Sequence, residues 1–188
     1  MFEIFSRRAV YSVMDAIKWC IELDASLVEN EHLLLGLVEN ASFAKILFNR
    51  KNITLEVLCS ELQSQRNGVA QPSELPQLMF SENIRETFLS ANNFRKRVRS
   101  SELASIHLVF GLFETANPET VSGKILEQLG MDRKEVVANI EQISKNAAQL
   151  DKREYCQDRW TVAEEKERIA TLSKRFQLPS DLGHYFNN

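Results

Sequence analysis

Apolar residues recur at helical spacing along nearly the whole chain. Phe5, Ala9, Val13, Ala16, Ile17, Cys20 and Ile21 form one face of a first helix, predicted from about Phe5 to Leu23. Asn30 is a suitable N-cap for a second, Glu31 to Asn40, because its side-chain oxygen can accept an N–H that a helix start leaves unbonded. A short third helix is predicted over Phe43 to Arg50. Thr54 caps a fourth through Leu58 and Leu62 to about Arg66. Asn67 to Pro76 breaks the pattern, since proline lacks a donor and excludes the helical conformation from the residue before it. The helical period resumes at about Ser81 with Ile84, Phe88, Ala91 and Phe94, and Ser105 stands as the cap of the following helix. Asp132 and Glu135 have capping-box spacing ahead of Val136, Val137, Ile140 and Ile143. Thr161 and Glu164 open a last helix to about Phe176, with a thinner face of Val162, Ile169, Leu172 and Phe176. No strand pattern of any length is visible, so the predicted fold class is all-α.

The pattern is written twice. His32-Leu33-Leu34-Leu35-Gly36-Leu37 returns as His107-Leu108-Val109-Phe110-Gly111-Leu112, Phe5-Ser6 as Phe80-Ser81 and Glu39 as Glu114, each 75 positions on. Lys45-Ile46-Leu47 pairs with Lys124-Ile125-Leu126, which places a four-residue insertion near Asn117-Pro118. Two copies are too few for a solenoid and imply a pseudo-symmetric pair of four-helix units. The expected division is repeat one 1–66, linker 67–79, repeat two 80–150 and a C-terminal helical extension 151–188. Glycine inside a helix costs about 1 kcal/mol relative to alanine. Its recurrence at Gly36 and Gly111 points to another helix backbone passing close over each. The two histidines, one turn before these glycines, are expected to fix neighbouring loops by ring N–H to carbonyl bonds. As metal ligands or bases they find no carboxylate or cysteine at ligand spacing in both copies.

Composition narrows the function. The chain has 188 residues, a net charge of −3 and 44% hydrophobic residues, enough for one domain with a core and a tail. That charge argues against a nucleic-acid module. Cys20, Cys59 and Cys156 make no CxxC pair, so neither a disulfide framework nor a zinc site is expected. No stretch approaches the roughly 20 apolar residues of a membrane span, and the N-terminus has no signal-peptide pattern. The expected location is the cytoplasm, or the plastid stroma if the protein is organellar. No nucleophile elbow, paired-carboxylate site or other catalytic constellation is present, and no cofactor is expected.

These motifs resemble the N-terminal domain of Clp/Hsp100 unfoldases, most closely the ClpC and ClpA branch. That family carries a doubled E-H-L-L-L-G-L, each copy preceded by a helix opening F-[ST]-x-x-A. Here Phe5-Ser6-Arg7-Arg8-Ala9 leads to Glu31-His32-Leu33-Leu34-Leu35-Gly36-Leu37, and the opening Met1-Phe2-x-x-Phe5 also matches. The family's A-x-x-L-x-x-x-G-[VI] repeat ending is similar to Gly123 to Met131 and, more loosely, to Ala44 to Ile53. The resemblance spans about Met1 to Leu150. It implies a double Clp repeat and a non-catalytic role as an accessory or adaptor protein of the ATP-dependent Clp protease. The implied partners are the protease core, a Clp ATPase or protein substrates, with neither nucleic acid nor membrane among them. A Walker A loop is missing: Gly123-Lys124 is the only Gly-Lys pair, with Pro118 and Ile125 at the flanking positions. The resemblance therefore implies a stand-alone N-domain without its motor. In the family, the glutamate before histidine and the Thr of F-T-x-x-A belong to a site for phosphorylated arginine. Only Glu31 and Ser6 stand at matching positions, and Ile106 replaces the second glutamate. A decoy that sequesters modified or hydrophobic peptides is the alternative reading.

The candidate partner-binding residues are Phe2, Phe5, Ser6, Arg7, Glu31, Phe80, Tyr185 and Phe186. Glu31 either complements the helix dipole or takes a partner's guanidinium bidentately. Phe2 and Phe5 either join the core or line the inter-repeat groove. Arg95 to Arg99 forms a solvated helix end or a patch for an acidic protein surface. Tyr185 and Phe186 either fold back on the domain or form a docking peptide. Deleting Leu182 to Asn188 separates these last two: a folded-back tail loses melting temperature and keeps binding, whereas a docking peptide loses capture of Clp components and keeps its melting temperature.

Overall fold

The computed structural model describes residues 4–40, 42–65 and 79–144. Repeat one comprises α1 (Arg7–Glu22), β1 (Leu27–Val28), α2 (Asn30–Asn40), α3 (Ser42–Asn49) and α4 (Leu55–Gln65). Repeat two comprises β2 (Met79–Phe80), α5 (Glu82–Arg97), α6 (Ser105–Thr115), α7 (Val121–Gln128) and α8 (Arg133–Ser144). The predicted linker lies almost entirely outside the described residues, and the helix predicted from Thr161 lies wholly outside them.

Both copies start and stop their long helices in the same way. The Ser6 hydroxyl accepts from the Ala9 N–H, and the Ser81 hydroxyl from the Ile84 N–H, each at 3.4 Å. α1 and α5 end in matching Schellman turns. Asp24 and Arg99 take positive φ, and the next amides, Ala25 and Ser100, reach back to the Cys20 and Arg95 carbonyls.

Two histidines cap the following helices, with a polarity opposite to that expected. His32 Nδ1 accepts the Glu29 N–H at 2.9 Å, and His107 Nδ1 accepts the Ala104 N–H at 2.8 Å. Each ring thus plays the part of Glu in a capping box, holding the N-cap amide from the third helical position. Asn30 and Ser105 are accordingly the first residues of α2 and α6 rather than their caps. Thr54 and Asp132 do cap α4 and α8, accepting from Val57 and from Lys134 and Glu135.

Gly36 and Gly111 stand where another helix backbone crosses. A Cβ on Gly36 would collide with the Ser12 carbonyl oxygen of α1 and lie 2.8 Å from the Ala16 nitrogen. On Gly111 it would collide with the Thr87 carbonyl oxygen of α5 and lie 3.0 Å from the Ala91 nitrogen. Ser12 and Thr87, like Ala16 and Ala91, are again 75 positions apart.

Short strands, absent from the sequence reading, join the repeats. β1 and β2 pair in parallel, Leu27 with Met79 and Val28 with Phe80. Phe5 forms the matching parallel bridge to Leu103. Ser81 N–H bonds the Val28 carbonyl at 3.0 Å, and Ser6 N–H bonds the Leu103 carbonyl at 3.1 Å. Each repeat thus lends the segment before its first helix to the other. Two residues per strand are too few to leave an alternating pattern in the sequence.

The second halves of the repeats diverge. Buried Ala44, Phe48, Ile53, Leu58 and Leu62 correspond to buried Ser122, Leu126, Met131, Val136 and Ile140, 78 positions on. The insertion is therefore three residues, and the Lys-Ile-Leu match is one position out of structural register. α3 packs on α2, whereas α7 leans from α6 toward α4, where Gln65 Nε2 donates to Gln128 Oε1 at 2.9 Å. Phe48 meets Phe113 across the repeats, ring centroids 6.2 Å apart.

Gly36→Ala and Gly111→Ala are each expected to lose about 3 kcal/mol, because the colliding atoms are backbone that cannot move aside alone. Urea denaturation of each variant against the parent measures this, and a loss below about 1 kcal/mol would show that the crossings can relax.

Candidate interaction site

The seam between the repeats gathers several of the residues singled out by sequence. Phe5 and Phe80, 7% and 8% exposed, both pack edge-on against Phe88, at centroid distances of 6.2 and 5.8 Å. Ser6 is the cap of α1, and Arg7 is the first, half-buried residue of that helix. Glu31 lies in the first turn of α2 and is 4% exposed, while its counterpart Ile106 is 6% exposed. The buried aromatic side chains shape the seam from within. Leu27, on the paired strand β1, is 39% exposed. Phe2, Tyr185 and Phe186 lie outside the described residues.

One seam contact escaped the sequence reading. Buried Thr87 donates to Asn30 Oδ1 at 2.9 Å across the repeats, and its hydroxyl is 2.7 Å from that of Thr115. A buried polar group costs stability unless paired, so this bond favours one alignment of the repeats. The signal available in sequence was Thr87 lying between Ile84, Phe88 and Ala91 on an apolar face.

Two of the four cations in the basic run have structural roles, while Lys96 and Arg99 are exposed. Arg95 bonds Asn92 and the Ser100 and Ser101 carbonyls, closing the turn after α5. The Arg97 guanidinium lies over Phe94 and Phe110 and pairs with Glu141 at 2.5 Å. On the opposite repeat, half-buried Trp19 donates to Glu39 Oε2 at 2.8 Å, and Lys18 pairs with Glu39 Oε1 at 3.2 Å.

Chemistry-bearing side chains are muted. His107 Nε2 is buried without a hydrogen-bond partner. Burial, assisted by the Arg95 charge, pushes the His107 ring down to about 4. The Cys59 thiol is pushed up by burial and then by Glu56, Glu39 and Glu22, which keeps it from the reactive thiolate form. Among the described residues no group of three or more His, Cys, Asp or Glu is placed to hold a metal, and no helix is long and apolar enough to cross a membrane. An open groove of about 420 Å³ lies between α6, α7 and α8, on a mainly apolar floor of Phe113, Ala116, Pro118, Leu126 and Met131.

Residues 4–117 match the family model described as the Clp repeat (R) N-terminal domain. The N-terminal domain of the caseinolytic protease associated chaperone ClpD from Arabidopsis thaliana superimposes with a TM-score of 0.63 at 21% identity, over 77% of this chain and 97% of that one. The Hsp104 N-terminal domain from Candida albicans gives 0.59 at 16% identity, over 75% and 91%. A structure from preliminary investigations of a malarial protein secretion system gives 0.60 at 15% identity, over 76% and 95%. No curated protein sequence matches the chain.

The unfolded chain binds a proton at His107 near pH 6.5, and the native ring refuses it until about pH 4. Stability from this group is therefore complete above pH 6.5 and lost as the pH falls toward 4, by about 2–3 kcal/mol at pH 4.5. An NMR titration of the native protein is expected to place the His107 midpoint near 4, and a midpoint near 6.5 would refute the buried neutral ring.

Proposed function

The chain belongs to the Clp repeat (R) N-terminal domain family, and from that premise we propose that it is a non-catalytic accessory or adaptor protein of the ATP-dependent Clp protease system. N-domains of Clp/Hsp100 chaperones bind substrates or adaptors. Family membership over residues 4–117 is the observation that carries the reading. The muted His107 and Cys59 and the mainly apolar floor of the open groove agree with recognition rather than turnover.

In this reading the protein presents a preformed helical surface to a protease core, a Clp ATPase or a substrate. The rim of the seam, around exposed Leu27 and half-buried Arg7, is the proposed contact, held in place by the buried Phe5, Phe80 and Phe88 beneath it. Covering exposed apolar surface removes it from water and favours association. The peptide-sequestering alternative draws less support, since Glu31 is 4% exposed and stands opposite a repeat that carries Ile106 in its place.

Affinity capture from native extract, followed by mass spectrometry, is expected to recover Clp subunits, and recovery of an unrelated complex alone would overturn the assignment. Leu27→Asp is expected to reduce that recovery at least tenfold while the melting temperature moves by less than about 2 °C, consistent with a surface change. Undiminished capture by Leu27→Asp would remove this rim as the contact.

A further inference from the structure

The groove between α6, α7 and α8 has a local cause. Repeat one carries Phe48 and Leu55 at the positions of Leu126 and Arg133, and both pack into the core. Repeat two has a smaller side chain at the first position and a cation at the second. The Arg133 guanidinium turns to the Glu114 and Ala116 carbonyls at the end of α6, bonds that satisfy carbonyls the helix leaves open. The three-residue insertion then holds α7 away from α6. Gly123 takes part, because a Cβ there would collide with the Asn117 carbonyl of the inserted loop. The result is about 420 Å³ of mainly apolar space, with the exposed Glu127 among its lining residues.

We infer that this groove seats Leu172 and Phe176 of the chain's own C-terminal extension. The helix predicted for the extension carries an apolar face, Val162, Ile169, Leu172 and Phe176, of the kind that a packed helix buries. Leu172 and Phe176 are four residues apart, the spacing that puts two side chains on one side of a predicted helix. Arg175, beside Phe176, is opposite in charge to Glu127. Reach is sufficient. α8 begins at the groove and carries the chain about 18 Å away by Ser144, and the stretch from there to Thr161 spans more than that distance at about 3.3 Å per residue. The tether raises the local concentration of the segment to about millimolar, so a modest apolar contact suffices. Repeat one offers no equivalent seat, because Phe48 and Leu55 fill it. This inference concerns an internal contact and stands or falls independently of the proposed partner.

The test uses the full chain with the photoreactive residue p-benzoylphenylalanine in place of Phe176. Irradiation is expected to give cross-links within one chain to Met131, Leu126 or their neighbours in the groove. In parallel, amide hydrogen exchange is compared between the parent and the double variant Leu172→Asp, Phe176→Asp. Exchange at residues 126–133 is expected to accelerate at least threefold, with α1 and α2 unchanged. Unchanged exchange in α1 and α2 is the reference for an intact fold. Cross-links to other surfaces, cross-links between two chains, or unchanged exchange in the groove would each overturn the assignment. Loss of Clp capture with the groove cross-link intact would bear on the proposed function alone.

Discussion

Two backbone-on-backbone helix crossings set the geometry of everything else. At Gly36 and Gly111 no Cβ intervenes, so α2 lies directly on α1, and α6 on α5. Contact this close leaves little freedom in how each helix pair is oriented. The pairs in turn carry Phe5 and Phe80 to the points where they bond across the repeats. A glycine is unfavourable for each helix taken alone. The crossing it permits brings together buried Leu33, Leu37, Leu108 and Leu112 with the apolar faces of α1 and α5.

Most of the first half of each repeat was legible in the residues. Apolar periodicity, matching glycines and a constant offset predicted α1 and α2 to within two residues and the starts of α5 and α6 to within one. What misled was chemistry with two valid solutions. A helix start can be capped by Asn30 from outside or by His32 from within, and the histidine wins by holding the amide one residue earlier. The repeated Lys-Ile-Leu letters suggested one register for the second half, while burial selects another, one residue away. Burial decides because Phe48 and Leu126 must face the same core. The strands left no trace, since their bonds depend on partners about 50 and 100 positions distant.

For the candidate contacts, the repeat was legible and the orientation was not. Phe5 and Phe80, paired by their 75-residue spacing, come together on Phe88 with their rings buried. The basic run shows the same gap between composition and use. Five consecutive positions with four cations suggest a surface patch, yet Arg95 ties a turn and Arg97 covers an aromatic stack. Divergence is concentrated where symmetry was relaxed. The first two helices of each repeat kept their glycines, histidines and caps, while the α7 and α8 region of repeat two absorbed an insertion and an arginine and opened a groove.

The reciprocal lending of strands has a consequence for origin and for assembly. Val28 with Phe80, and Phe5 with Leu103, are one contact made twice under a two-fold exchange of the repeats. A single-repeat ancestor could have made the same two bonds only by embracing a second molecule, as an isologous dimer with exchanged arms. Within one chain the same closure is internal and independent of concentration. The price is that neither half, once severed, keeps its edge covered, and a partly opened chain can offer its arm to a neighbour instead of to itself.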